Sequence, residues 1–143
     1  MVNIHLDDSQ VKAFFRALRT DLKEIVLEPM YRVADYIRGI SQRDYLTAAG
    51  PQYLNVGKTH TLRRSVRAES KIEGGRAVGI ISARALSDRG FDYAAYWELS
   101  GSRHGGPRKF LTDARDQHQD EWMQIFNRVF AERFNKWQSA KTF

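Results

Sequence analysis

The sequence predicts an α+β fold in which a small antiparallel β-sheet lies between a long N-terminal helix and a C-terminal amphipathic helix. Apolar residues recur at helical spacing near both ends of the chain, and the middle segment has strand-like residues around a Gly-Gly turn. The order of helix, small sheet and helix is typical of the α+β class. At 143 residues the chain has the length of one domain, so we expect a single domain over residues 1–143.

A long helix is predicted over residues 8–40. Pro29 has no N–H to donate to the Ile25 carbonyl, so a kink or break is expected near residues 28–29. Without a break the helix would measure about 50 Å, which exceeds the size of a compact domain of this length. The helix must therefore bend or project toward another molecule. Its predicted buried stripe consists of Val11, Phe14, Phe15, Leu18, Leu22, Ile25, Val26, Met30, Val33 and Ile37.

Residues 59–99 are predicted to be rich in β-structure. The segments "TLRRSVRAES" and "RAVGIISARAL" flank Gly74-Gly75, a dipeptide that favours a hairpin turn. The segment "FDYAAYWEL" is predicted to form a third strand, or a strand that continues into a helical turn. Residues 41–60 form a connector, with a possible helical turn at 43–49.

The C-terminal helix is predicted over residues 110–138. Acidic residues dominate its first half and basic residues its second half, which suits the helix dipole. Its large apolar residues recur at spacings of three and four, and we expect this stripe to be core. The stripe consists of Trp122, Ile125, Phe126, Val129, Phe130, Phe134 and Trp137.

Composition excludes several classes of protein. The absence of cysteine excludes a disulfide framework, a thiol nucleophile and a cysteine-ligated zinc site. The N-terminus does not resemble a signal peptide, and no apolar run is long enough to cross a membrane. We therefore expect a protein that is made in the cytoplasm and has no membrane partner.

Positive charge is concentrated in the middle of the chain. The net charge is +6, and residues 59–109 contain ten Lys and Arg against five Asp and Glu. A basic surface of this kind attracts nucleic acid or an acidic protein, although a surplus scattered over the surface would serve only solubility. Both interpretations remain open at this point.

The sequence shows no catalytic or metal-binding pattern. The four histidines, His5, His60, His104 and His118, form neither an HxH nor an HxxxH pair. His60 and His104 lie near the basic segments and could in principle form a ribonuclease pair, but nothing sets their distance. Glu98 is a lone carboxylate, which we expect to pair with an arginine at a strand edge. We predict no enzyme, no metal and no cofactor.

Three short segments occur in a fixed order between the two long helices: "THTLRRSV" at 59–66, "YAAYWE" at 93–98, and "PRKFL" at 107–111 followed by Ala114. This ordered set, over most of residues 8–135, resembles the tail-completion or head–tail joining (neck) protein family of long-tailed bacteriophages. His60 stands where that family usually has glycine, and the glycine expected soon after Glu98 is displaced to Gly101.

The resemblance implies a structural virion protein that completes the head-proximal end of the tail and joins it to the capsid connector. Members are thought to form a ring, commonly six-fold, around the DNA channel. The implied partners are other copies of the chain, neighbouring neck proteins (stopper or adaptor) and tail terminator or tail-tube proteins. DNA passing through the channel is a further contact. The implied location is the neck or tail of the virion, after assembly in the host cytoplasm.

Arginines and aromatic residues of these segments are the predicted protein interface. Such residues are enriched in interfaces, and the open edges of a small sheet favour pairing with another chain. On a strand, Arg63 and Arg67 would share one face and Arg64 would lie on the other. A small basic nucleic-acid-binding module is the alternative function. The predicted interface residues are Arg63, Arg64, Arg67, Tyr93, Tyr96, Trp97, Glu98, Arg103 and Arg108.

Overall fold

Helix α1 spans Asp8–Ile40 and is the longest element of the fold. It belongs to a computed structural model that describes residues 8–46, 59–101 and 105–141, without the side chains of Thr59 and His60. The helix continues through Pro29, whose ring is buried, so the predicted break does not occur. A π-helical turn, Ser41–Tyr45, follows at once and corresponds in part to the helical turn expected at 43–49.

Helix α2 spans Thr59–Ser65, where the sequence predicted the start of a strand. Leu62 and Val66 are four residues apart and both are fully buried, a spacing that suits one face of a strand as well as one face of a helix. Because the backbone is helical over Thr59–Ser65, the predicted strand is wrong for 61–65, and so is the assignment of Arg63 and Arg64 to opposite faces of a strand.

The predicted β-hairpin is confirmed. Strand β1, Arg67–Glu73, pairs antiparallel with β2, Arg76–Ser82, in a register that runs from Arg67 opposite Ser82 to Glu73 opposite Arg76. Gly74 and Gly75 both have positive φ angles, 58° and 77°, as a tight two-residue hairpin turn requires.

The predicted third strand is wrong. The segment forms a short helix α3, Tyr93–Ala95, and a second π-helical turn, Tyr96–Ser100. Asp92 caps this helical segment by accepting hydrogen bonds from the N–H groups of Ala94 and Ala95. In the described part of the chain the sheet therefore has two strands, with one isolated bridge between Leu86 and Asp92.

The C-terminal helical segment is divided. Helix α4 spans Thr112–Asp116 and helix α5 spans Gln119–Ala140, so the helix predicted over 110–138 is interrupted at Gln117 and His118. Helix α5 runs antiparallel to α1. At one end of the pair Phe14 contacts Phe134 and Trp137, with ring centroids 6.4 and 5.6 Å apart.

At the other end of the α1–α5 pair, the Tyr36 hydroxyl donates to the Glu121 carboxylate at 3.0 Å. The apolar stripe of α5 is core only in part. Val129 is buried, whereas the large aromatic residues of the stripe are half-buried. The prediction that the whole stripe is core is therefore wrong for its aromatic residues. Helix α5 packs mainly on one partner helix, so the sides of its apolar face remain accessible.

The hydrophobic core lies around the C-terminal half of α1. All buried residues of α1 lie between Ile25 and Ile40, and residues 8–24 contain none. The hairpin packs on this half: the Ser70 hydroxyl donates to the Leu27 carbonyl at 2.9 Å. Gly79 approaches the helix so closely that a Cβ atom would lie 3.0 Å from the Met30 carbonyl oxygen. Among the described residues, no helix combines the length and apolar character needed to cross a membrane.

Candidate protein-interaction surfaces

The residues predicted to form an interface fall into two places in the structure. Arg63 and Arg64 lie on α2 and Arg67 begins β1. The others cluster around α3, the second π-helical turn and the 105–110 segment. Arg103 lies outside the described residues. That second set consists of Tyr93, Tyr96, Trp97, Glu98 and Arg108.

The aromatic residues of this second set mainly build the core of the domain. Tyr93 and Trp97 are only 8% and 7% exposed, so little of either side chain can reach another molecule. Tyr96 is half-buried and its ring lies 5.6 Å from that of Phe91, which is more than half exposed. Of these aromatic residues, Tyr96 and the unpredicted Phe91 are the ones that present an accessible surface.

Glu98 holds the start of α4. Its carboxylate accepts hydrogen bonds from the N–H groups of Leu111 and Thr112, at 2.9 and 3.0 Å, and from the Thr112 hydroxyl. These N–H groups begin a helix and have no partner within it, so the carboxylate satisfies them. Glu98 therefore acts as a helix cap and does not lie at a strand edge, and no arginine of the described ranges forms an ion pair with it.

Residues 105–108 pack against the second π-helical turn. Gly101 has a left-handed φ of 54°, and a Cβ atom there would overlap the carbonyl oxygen of Gly106. The Gly106 N–H donates to the Gly101 carbonyl at 3.1 Å, and the Arg108 N–H donates to the Trp97 carbonyl at 2.6 Å. A glycine is thus required at Gly101, three residues after Glu98.

A basic groove of about 260 Å³ lies between α2 and the first π-helical turn. Its lining is Gln42, Arg43, Arg63 and Arg64, so in the described structure three guanidinium groups and no carboxylate face it. The Gln42 amide donates to the Arg63 carbonyl at 2.8 Å, which fixes α2 to the end of α1. Arg43 was missed from the sequence because its segment was assigned to a connector.

An apolar stripe is exposed on the first half of α1. Val11, Phe15 and Leu22 are 54%, 60% and 40% exposed, although their spacing of four and seven residues predicted burial. The same side of the helix carries the buried residues Pro29 and Val33 farther along. The stripe thus continues the core-facing side of α1 beyond the end of the core.

A row of cations lies beside this stripe. Lys12, Arg16, Arg19 and Lys23 are three or four residues apart, so they share one side of the helix. Lys12 pairs with Asp8 at 2.9 Å. Within the described ranges, Arg16, Arg19 and Lys23 make no ion pair.

The opposite end of the α1–α5 pair is acidic. Asp116, Asp120 and Glu121 lie at the α4–α5 junction, and Asp44 lies in the π-helical turn after α1. Burial and the adjacent Glu121 carboxylate raise the pKa of Tyr36. The hydrogen bond between Glu121 and His118 lowers the pKa of Glu121. The Arg115 guanidinium lowers the pKa of Asp116.

The part of the chain that the structure describes contains no metal site. Within residues 8–46, 59–101 and 105–141, no three His, Cys, Asp or Glu side chains are placed to hold a metal ion. The hypothetical ribonuclease pair, His60 and His104, lies outside what the structure describes, as does His5. His118 contacts Glu121 at 2.6 Å and the Tyr45 hydroxyl at 3.3 Å.

No protein-family model, curated protein or solved structure matches this chain.

Proposed function

We propose that this protein is a structural component of a bacteriophage neck, which completes the head-proximal end of the tail and joins it to the capsid connector. Identical subunits would form a ring around the DNA channel. The observation that carries the proposal is the packing of the three short segments that resemble the tail-completion family. Their apolar residues meet in one core.

The three segments contact one another through both apolar and polar groups. Leu62 and Val66 of the first, Trp97 of the second and Phe110 at the third all belong to the same buried cluster. Glu98 of the second segment caps the helix that follows the third. The spacing of the segments therefore has a structural reason, because together they fix the end of α1 to the rest of the domain.

The surface of the subunit supports assembly with other copies. The exposed Val11, Phe15 and Leu22 form an apolar stripe that a single subunit leaves accessible, and such stripes are typical of protein interfaces. The two-stranded hairpin also leaves strand edges open to a neighbour. A contact between unlike surfaces of identical subunits produces a closed ring when the rotation between them closes.

Two experiments test the ring and its place in the virion. Native mass spectrometry and negative-stain electron microscopy of the purified chain should show a closed ring of identical subunits. In infected cells, inactivation of the gene should give DNA-filled heads and separate tails that fail to join. A chain that is absent from purified virions by mass spectrometry would contradict the proposal.

Nucleic-acid binding is the second candidate function, and the basic groove favours it. Arg43, Arg63 and Arg64 present three guanidinium groups, which bind phosphate oxygens with charge-assisted hydrogen bonds. If the groove binds a DNA backbone, the affinity of the monomer for duplex DNA should fall steeply with salt concentration. Fluorescence anisotropy with a labelled duplex measures this affinity.

A matched pair of variants makes the binding test specific. Replacing Arg43 and Arg64 by Glu should abolish DNA binding. Replacing the exposed Arg84 and Arg89 by Glu changes the net charge by the same amount and should leave most of the DNA affinity. If both double variants weaken binding to the same extent, the basic groove is not a specific site. If wild type shows no affinity at low salt, nucleic-acid binding is rejected and the structural role remains.

A further inference from the structure

We propose that the first half of α1 docks head to tail onto the acidic end of a second copy of this chain. The helical arm is defined as residues 8–24 of α1 together with 128–140 of α5. The acidic end is defined as Asp44, Asp116, Asp120 and Glu121. This inference rests on the proposed ring and identifies the two surfaces that join its subunits.

The helical arm has the apolar surface that a docking contact requires. No residue of α1 between positions 8 and 24 is buried, and Phe15 is 60% exposed at the centre of the stripe. On its other side the arm is already occupied, because Phe14 packs against Phe134 and Trp137 of α5. The stripe is therefore held on a paired helix, which reduces the conformational entropy lost when a partner binds.

The charges of the arm specify an acidic partner. Residues 8–24 contain four Lys and Arg against three Asp and Glu, and residues 128–140 contain three against one. Arg16, Arg19 and Lys23 form no ion pair in the described part of the chain, so they are free to meet carboxylates. Two arms packed against each other would bring these cations together, and that repulsion disfavours a symmetric arm-to-arm dimer.

The acidic end of the same molecule is complementary in both charge and apolar character. Residues 112–121 contain four Asp and Glu against one Arg, and Asp44 and Asp120 make no ion pair among the residues described. One turn after Asp120, Met123 is 41% exposed, so an apolar side chain lies beside the carboxylates. These carboxylates can pair with the cations of the arm, and the apolar side chain beside them can pack against the apolar stripe of the arm.

The two surfaces cannot satisfy each other within one subunit. They lie at opposite ends of α1, which at 1.5 Å per residue is about 50 Å long. A second copy can therefore supply the surface that the first lacks, and the resulting pair still has one free arm and one free acidic end. Repetition of such a contact gives a ring if it closes.

Charge reversal tests the docking with three variants of the full chain. The arm variant carries Arg16→Glu and Arg19→Glu, the end variant carries Asp116→Lys and Asp120→Lys, and the third combines all four changes. The four side chains are exposed, so circular dichroism should report unchanged helix content. Sedimentation velocity at several protein concentrations and salt concentrations measures association.

We expect each variant with one reversed surface to lose self-association. We expect association to return when both surfaces are reversed, either in a mixture of the two variants or in one chain. The arm variant and the end variant should each associate at least about tenfold more weakly than wild type, because like charges now face each other. An equimolar mixture of the two should associate again, since each supplies the surface that the other needs. The four-fold variant should also associate, because both of its surfaces are reversed together.

Controls separate this inference from the ring proposal. Arg84→Glu combined with Arg89→Glu changes net charge by the same amount as the arm variant and should associate like wild type. If wild type and the arm variant form the same ring with equal affinity, the docking surface is wrong and the ring stands. If wild type remains monomeric at every concentration, both the docking and the ring are rejected. Loss of association in the variants without rescue in the mixture would also overturn the head-to-tail contact.

Discussion

Trp137 of α5 donates its indole N–H to the carboxylate of Asp21 on α1, with 2.8 Å between Nε1 and Oδ2. Lys141 places its ammonium 3.0 Å from the same carboxylate oxygen. These contacts fasten the end of α5 to the first half of α1, in a region where the two helices share aromatic contacts but no fully buried residue of α1. The helical arm therefore depends on these two polar contacts at Asp21 as well as on aromatic packing.

Asp21→Asn should loosen the arm in a pH-dependent manner. The hydrogen bond from Trp137, aided by Lys141, lowers the pKa of Asp21 in the folded protein. Its stabilising contribution is thus fully present above the unfolded-state pKa of about 4 and is lost as pH falls through the lower folded-state pKa. Thermal melts should show a gap between wild type and variant at pH 7 that closes in strong acid. An equal gap at all pH values would contradict this origin.

Glu98→Ala should destabilise the fold through the start of α4. Its carboxylate accepts from two N–H groups and one hydroxyl, so its removal should cost about 1–2 kcal/mol, as the loss of a helix cap does. Urea denaturation measures the change. Glu132→Ala on the exposed side of α5 is the control, and we expect a change within about 0.5 kcal/mol. Equal effects of the two substitutions would show that the cap contributes nothing.

Phe110→Ala should be more destabilising than Phe130→Ala. Phe110 is fully buried in the core cluster, so its truncation should reduce the free energy of unfolding by about 3–5 kcal/mol. Phe130 is half-buried and stacks between Phe126 and Phe134 on one helix, so its truncation should cost less. Chemical denaturation of both variants gives the order. The opposite order would place the centre of the core along α5.

Gly101→Ala should be more harmful than Gly74→Ala, although the two glycines have similar φ angles of 54° and 58°. An alanine in this left-handed region costs about 1–2 kcal/mol from backbone strain alone. At Gly74 nothing lies within 4 Å of the added atom, whereas at Gly101 it would overlap the Gly106 carbonyl. The difference between the two variants in thermal denaturation measures the overlap. Equal melting temperatures would show that Gly106 moves aside at no cost.

The fold class and the two long helices could be predicted from sequence because long apolar periodicity has few interpretations. The limits predicted for α1 agree with Asp8–Ile40, and the Gly74-Gly75 turn located the hairpin. Short segments were harder. The spacing of Leu62 and Val66 and their common burial in the core are compatible with one face of a strand or of a helical turn, so the apolar pattern does not distinguish the two.

The third predicted strand failed for a similar reason. The aromatic residues of 93–97 favour strands, but Tyr93, Ala94 and Trp97 are spaced as one buried helical face, and Asp92 caps it. Tertiary packing thus overrides the local preference. The same limit affects the candidate surfaces: no sequence pattern reveals that Arg43 meets Arg63 and Arg64 across 20 residues, or that half of the α1 stripe lies beyond the core.

The seating of the hairpin on α1 has a practical consequence. Gly79 contacts the helix in the middle of β2, whereas added atoms at Gly74 or Gly75 would meet nothing within 4 Å. The turn can therefore accept a short inserted peptide while the strands keep their register, as exposed loop tips commonly do. If the chain forms the proposed ring, an epitope tag placed between Gly74 and Gly75 would mark the position of each copy in micrographs of that ring.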